Sequence, residues 1–275
     1  MTASFLWGSS FTAIKIATEV LDSFSYMWLR ASISLLLLLP FTLHEILRRR
    51  RAALIDARRG CLTGIFYGLT LWLQGWGTSM STASKASFIT GLHAVVVHLY
   101  ASLIERRYSP WLALSLVLAI AGLYALTNPE ATGLGLGDVL LIASCFTLAI
   151  QVVLVSRFSD SNPITFVFFE MLPATFFVIP DVLTGGVESM DLRTFAALLY
   201  LAAVCGNLGF ALQLLGQRYV DPATATIIYQ TIPIFGALTA FVVLGERMSV
   251  MQMIGAAMIF AAMILAVIEP RKVLS

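Results

Sequence analysis

Charge is what this sequence is short of. Only 12% of its 275 residues are Asp, Glu, Lys or Arg, where a soluble globular domain carries about a quarter. That shortage excludes an ordinary water-soluble fold, which needs charged side chains over most of its surface. Cysteine is sparser still. Cys61, Cys145 and Cys205 all fall in apolar runs, and none has a CxxC neighbour or a histidine at metal-ligand spacing. A disulfide framework and a zinc site are thereby set aside, and the three thiols read as small apolar side chains. No basic block is interleaved with aromatics, so no nucleic-acid partner is expected. The run Arg48 to Arg51 reads as a topology signal instead. No Walker motif is present, so neither direct drive by ATP nor any other cofactor is expected. The N-terminus lacks a basic n-region and an A-x-A cleavage site, so it reads as a first spanning helix; its onset almost at Met1 points to a start codon a little upstream.

What fills the sequence is hydrocarbon. The chain is 59% hydrophobic, with mean hydropathy +0.89. Runs long enough to cross a bilayer as helices occur at about 3–20, 24–43, 60–79, 85–104, 110–127, 138–156, 163–180, 194–216, 222–244 and 250–268. The expectation is an all-α polytopic membrane protein of ten transmembrane helices, with short connections except for the basic segment 44–59 and no soluble domain. With both termini in the cytoplasm, the inner loops hold Arg48 to Arg51, Arg58, Arg59, Arg106, Arg107, Arg157, Arg218, Arg271 and Lys272, twelve in all. The outer loops then hold only Arg193 and Arg247, while Lys15, Arg30 and Lys85 remain within or at the edge of helices. A bias of twelve to two predicts that orientation, in the cell (inner) membrane.

A duplication is written into the chain. "ASLIERRYS" (101–109) and "VVLGERMS" (242–249) both end an apolar run on Glu-Arg, 246 − 105 = 141 residues apart. Five predicted helices separate them. Five is odd, so the second copy enters the membrane upside down relative to the first. Weaker echoes are "SSFT" (9–12) with "SCFT" (144–147), and "STASKASF" (81–88) with "DPATATII" (221–228). Two inverted five-helix repeats, 1–130 and 131–275, are expected. Such repeats are a recurrent transporter architecture with the substrate site between the halves.

Four stretches carry a resemblance: "FLWGSSFTAIKIA" (5–17), "TASKASFITGL" (82–92), "GLGLGDVLLIASC" (133–145) and "ATIIYQTIPIFGALTAFVVLGERMSVMQMIGAAMI" (225–259). In order and in both halves, the chain resembles the EamA family of the drug/metabolite transporter superfamily. The resemblance implies two inverted five-helix units around a cavity lined by helices 1, 3, 4, 6, 8 and 9, and the outward movement of small metabolites, often amino acids. Two positions depart from the family pattern. Ile232 precedes Pro233 where an acidic residue is common, and His98 stands where helix 4 often has proline. A proton-coupling scheme resting on that carboxylate therefore has no support here.

Polar residues in lipid must face protein or water, so shared faces at 100° per residue mark a lined path. Ser4, Gly8, Phe11, Thr12, Lys15 and Glu19 share one face of helix 1, and Thr63, Tyr67, Thr70, Gln74 and Thr78 one face of helix 3. Gly206, Phe210, Gln213 and Gln217 do so on helix 8, where Asn207 is a further candidate, and Thr226, Tyr229, Gln230 and Pro233 on helix 9. The bland reading is helix–helix glue, which Gly64 and Gly68 serve in any case; glutamine is large for that task. Lys15 and Lys85 break the charge bias and suit a substrate carboxylate or phosphate, or else they snorkel outward, with Lys15 neutralised by Glu19. Glu170 reads as a structural ion pair or a protonated acid, His93 as the cavity-facing histidine of helix 4, and Pro233 as a hinge. Trp72, Trp76 and Tyr229 are candidates for stacking on a substrate. "GLGD" (135–138) matches an intramembrane protease motif, but no second intramembrane Asp accompanies it, and Asp138 instead suits a helix start. The leading expectation is a secondary transporter exporting amino acids or similar small metabolites by alternating access, not an enzyme. The alternative is a non-transporting scaffold or receptor subunit. Partners are then a small-molecule substrate and the lipid bilayer; a homo-oligomer is left open.

Overall fold

The computed structural model describes residues 2–105, 110–127, 135–186, 189–220, 225 and 228–267. Thr226, Arg106, Arg107, Arg271, Lys272 and residues 221–224 lie outside them. All regular structure among the described residues is helical: α1 (Thr2–Thr18), α2 (Ser23–Arg48), α3 (Arg50–Ser79), α4 (Ala83–Gly91), α5 (His93–Glu105), α6 (Pro110–Thr127) and α7 (Leu136–Arg157), then α8 (Pro163–Met171), α9 (Val178–Thr184), α10 (Leu192–Tyr200), α11 (Gly209–Gly216), α12 (Ile232–Leu244) and α13 (Val250–Val267). A 3₁₀ turn, Leu172–Phe177, joins α8 to α9, and a π-helical turn, Leu201–Leu208, joins α10 to α11.

Four stretches are long and apolar enough to cross a bilayer: Ser23–Arg48, Leu136–Arg157, Pro163–Leu183 and Leu192–Gly216, with shorter apolar helices at Ala113–Leu126, Ile232–Leu244 and Val250–Leu265. The surface agrees with immersion in lipid. Leu36, Val117, Ile120 and Val242 are each at least 63% exposed, and such side chains are stable facing outward only against hydrocarbon or a partner.

The basic segment 44–59 is not an irregular connection. Helix runs through to Arg48, breaks only at Arg49 (φ −138°, ψ 48°) and resumes at Arg50. The segment holds no Gly or Pro, and Arg, Ala and Leu favour helix, so nothing melts it. Other expected helices are interrupted. The 85–104 stretch breaks at Leu92 between α4 and α5. Pro173 sits in the 3₁₀ turn, because proline cannot donate an interior helix bond. Helix 9 turns at Gln230 and Thr231, which puts Pro233 in the first turn of α12, where its missing N–H loses nothing.

Close approach depends on glycine at two places. A Cβ at Gly64 would strike the backbone of Glu170 on α8, and one at Gly8 would strike Phe235, Ile232 and Gly236 of α12. The helix contacts come in matched sets. α1 packs on α12 and on the α10–α11 stretch; α7 packs on α4–α5 and on α3. α2 lies on the π turn as α8 lies on α3, and α6 pairs with α13.

Candidate functional site

Between the two chain halves lies a small cavity of about 50 Å³, room for a few waters and not for a metabolite. The first half contributes Trp7 from α1, Arg30 from α2, Tyr67 and Gln74 from α3, and His93 from the start of α5. The second contributes Leu148 and Val152 from α7, Phe210 from α11, and Tyr229. The aromatic rings form a connected wall: Trp7 lies 4.9 Å from Phe210 and 5.1 Å from Tyr229, Tyr67 lies 4.2 Å from Phe210, and His93 lies 6.4 Å from Tyr229, centroid to centroid. The Trp7 indole N–H is tied to the Cys205 carbonyl at 3.1 Å, which fixes the ring. His93 Nδ1 pairs with the Thr90 carbonyl at 2.9 Å.

Arg30 is the residue the sequence expectations left out. It is 2% exposed, two turns into α2. Its Nη1 donates to the Tyr26 hydroxyl at 2.6 Å, and its guanidinium sits 6.0 Å from the Tyr26 ring. Its Nε is buried with no hydrogen-bond partner among the described residues, as are the hydroxyls of Tyr67 and Thr90. No carboxylate pairs with Arg30 among the described residues. The available signal was its standing as the one charged residue inside the 24–43 run.

Of the eleven candidate binding residues, Tyr67, Gln74, His93 and Tyr229 come together on this cavity. The other seven lie elsewhere. Lys15 Nζ donates to the carbonyls of Thr78 (3.3 Å), Ser79 (3.1 Å) and Ser81 (2.7 Å), closing the C-terminal end of α3. Glu19 is 4.0 Å from Arg193. Lys85 forms a 2.7 Å ion pair with Asp138, whose carboxylate also accepts the Gly135 N–H at 3.2 Å at the start of α7. Thr12 donates to Thr239 at 3.0 Å. Asn207 accepts from the Ser34 hydroxyl and donates to the Ser34 carbonyl at 3.2 Å, so it joins the π turn to α2. Gln213 accepts from Gln151, which also donates to Glu170 at 2.9 Å. Gln217 reaches the Val152 carbonyl at 3.5 Å and Gln230 the Met263 carbonyl at 2.5 Å. Pro233 touches the Gly91 position, and its carbonyl accepts from Ser87 at 3.4 Å. Trp72 packs against Trp76 at 5.3 Å with the rings tilted by 41°, and stacks on Phe24 at 5.5 Å, away from the cavity.

The repeated Glu-Arg gains a physical meaning in its second copy. Glu246 accepts the Ala83 and Ser84 backbone N–H groups at 2.8 and 2.9 Å and the Ser84 hydroxyl at 2.7 Å. A carboxylate from the second half thus caps the N-terminus of α4 in the first, where the helix dipole favours it.

Known proteins match along most of the chain. The model of the EamA-like transporter family matches residues 1–128 and again 135–268. A relative from Archaeoglobus fulgidus, named "Uncharacterized transporter", is 26% identical over 95% of this chain and 82% of its own. One from Salmonella typhimurium, named "Probable amino-acid metabolite efflux pump", is 23% identical over 94% of this chain and 90% of its own. A solved crystal structure of another protein superposes with a TM-score of 0.70 at 16% identity, covering 100% of this chain and 96% of that one, a likeness of fold alone. The chain belongs to the EamA-like transporter family.

Proposed function

We propose that this protein is a secondary transporter that exports amino acids or similar small metabolites by alternating access. The observation that carries the reading is the small cavity, whose wall is drawn from both halves of the chain and mixes aromatic rings with buried polar groups. Such a cavity, too small for a metabolite as it stands, suits an occluded intermediate between two open states. Support for two inverted repeats comes from two matched contact sets: exchanging α1 with α7, α3 with α10–α11 and α4–α5 with α12 turns the packing of α1 on α12 and on α10–α11 into that of α7 on α4–α5 and on α3. In this reading α1, α2, α3, α4–α5, α6, α7, α8–α9, α10–α11, the stretch ending in α12, and α13 make ten crossings of the inner membrane, with both termini cytoplasmic and with a small-molecule substrate and the bilayer as partners. The efflux assignment draws on the named Salmonella typhimurium relative. Chemistry on the substrate is no part of the proposal.

The test is reconstitution. Proteoliposomes loaded with labelled amino acids should release at least one of them faster than empty-protein controls. Gln74→Ala, which removes a buried amide from the cavity wall, should slow that release roughly tenfold, the worth of about one buried hydrogen bond. Failure of a broad solute panel to move overturns the proposal.

A further inference from the structure

We propose that the Arg30 guanidinium is a subsite for a carboxylate of the transported molecule, assisted by the hydroxyls of Tyr67 and Thr90; this rests on the transport reading of the same cavity. The other membrane-depth and interfacial cations show what a satisfied one looks like here. Lys15 has three carbonyls, Lys85 has Asp138, and Arg218 donates to the carbonyls of Ser159 and Ser161 at 2.7 and 2.6 Å. Arg30 has five N–H donors to place and one bond, to a neutral phenol. A guanidinium buried to 2% exposure without a counter-charge is costly. It persists where something outside the chain completes it.

The cavity states what that something is. Three polar groups that line it, Arg30 Nε and the Tyr67 and Thr90 hydroxyls, are buried without partners. All three can donate, and a planar carboxylate offers the forked acceptor that matches a guanidinium. No Asp or Glu among the described residues lines the cavity, so an amine without a carboxylate finds no opposite charge there. The remaining wall, Trp7, Phe210 and Tyr229, is aromatic and suits an apolar or aromatic remainder. The ligand class is therefore a small carboxylate with an apolar body. An α-amino acid and its des-amino acid share that chemistry.

The experiment uses the full chain, purified in detergent, with phenylalanine, 3-phenylpropionate and phenethylamine as probes at constant ionic strength. Binding is followed by tryptophan fluorescence, for which Trp7 is in the wall, and by thermal midpoint. Both carboxylates should bind and phenethylamine should bind at least roughly tenfold more weakly, the worth of a charge-assisted hydrogen bond. Arg30→Gln should weaken both carboxylates by roughly tenfold to a hundredfold, with Arg30→Lys in between. Should Arg30→Gln not be recovered folded, Tyr67→Phe decides. It removes an unpaired buried hydroxyl, so the thermal midpoint should hold or rise while carboxylate affinity falls several-fold. Tighter binding of phenylalanine than of 3-phenylpropionate assigns an amino acid, and the reverse order assigns an organic acid. Equal binding of phenethylamine and 3-phenylpropionate overturns the subsite. So does wild-type carboxylate affinity in Arg30→Gln, midpoint protection by chloride alone equal to that by carboxylate, or a Tyr67→Phe variant with a lower midpoint and unchanged affinity. Flux of an uncharged solute that ignores Arg30→Gln would sink the subsite and spare transport. Carboxylate binding with no flux of any solute would do the opposite.

Discussion

The cations at the rim around residues 78–85 and the cation at the centre obey opposite rules. At the rim, Lys15 closes the end of α3, Lys85 answers Asp138, and Glu246 from the other half caps α4. Each charge has an opposite charge or a set of dipoles within hydrogen-bond distance. At the centre, Arg30 and the hydroxyls of Tyr67 and Thr90 stand with bonds to spare. The rim is built to hold helices together, while the centre is built around groups that the chain itself does not satisfy. Buried polar groups are normally paired; unpaired hydroxyls occur at the rim as well, at Thr78 and Ser81, so what sets the centre apart is a buried charge without a counter-charge among the described residues.

The largest effect expected from breaking this comparison is at Lys85. Asp138 is 3% exposed, and Lys85→Met leaves its carboxylate buried without a counter-charge, a loss of about 3 kcal/mol. Unfolding in mixed micelles should show it, and Lys85→Met/Asp138→Asn should recover more than half. Arg30→Met is expected to do the reverse. It removes a cation that has no counter-charge, so the ligand-free protein should be as stable as wild type or more so. Equal destabilisation at both positions would erase the distinction between rim and centre.

Glu246→Ala comes next. It removes three hydrogen bonds at the N-terminus of α4. Loss of a helix cap is worth about 1–2 kcal/mol, with partial exposure of Glu246 placing it toward the lower value. Hydrogen exchange should rise first at Ser84 to Ser87, and Glu246→Gln should restore part of the protection, since its amide oxygen still accepts.

How far the sequence spoke of all this depends on what each residue answers to. Tyr67, Gln74 and Tyr229 were legible because a cavity face repeats along a helix, and periodicity is a local property. Lys15 and Lys85 were legible as anomalies in the charge bias, but not as partners of the α3 carbonyls and of Asp138. Those partners are tens of residues away and meet only in the tertiary fold. Arg30 shows the converse. As a leftover in the charge count it looked uninformative, and its importance lies in what fails to reach it, which no sequence displays. Helix breaks divide the same way. Pro173 and Pro233 announced theirs, whereas the π turn at Leu201–Leu208, which is joined to α2 through Asn207 and Ser34, holds no proline to announce it.

The smallest expected effect sharpens the comparison from the solvent side. Asp22 lies in the connection before α2 and caps it, accepting the Phe24 and Ser25 N–H groups at 2.6 and 3.1 Å and the Ser25 hydroxyl at 2.6 Å. Partial burial pushes its carboxyl up, but the hydrogen bonds from the Ser25 side chain and from the Ser25 and Phe24 backbone outweigh it and hold the pKa below the ordinary 3.8. Asp181 faces the same Ser25 hydroxyl from α9. A lowered folded-state pKa means that the cap's stabilisation is complete above pH 3.8 and is lost as pH falls through the lower, folded value. Between pH 7 and 4.5 the thermal midpoint should therefore be insensitive to this group. Below that, wild type should lose about 1 °C more than Asp22→Asn, because the amide caps at every pH while the carboxyl stops accepting once protonated. A midpoint in Asp22→Asn that falls as steeply as in wild type would show that this cap does not set the acid sensitivity. An exposed cap is thus worth little and fails only in acid, whereas breaking the buried pair at Lys85 strands a carboxylate away from water.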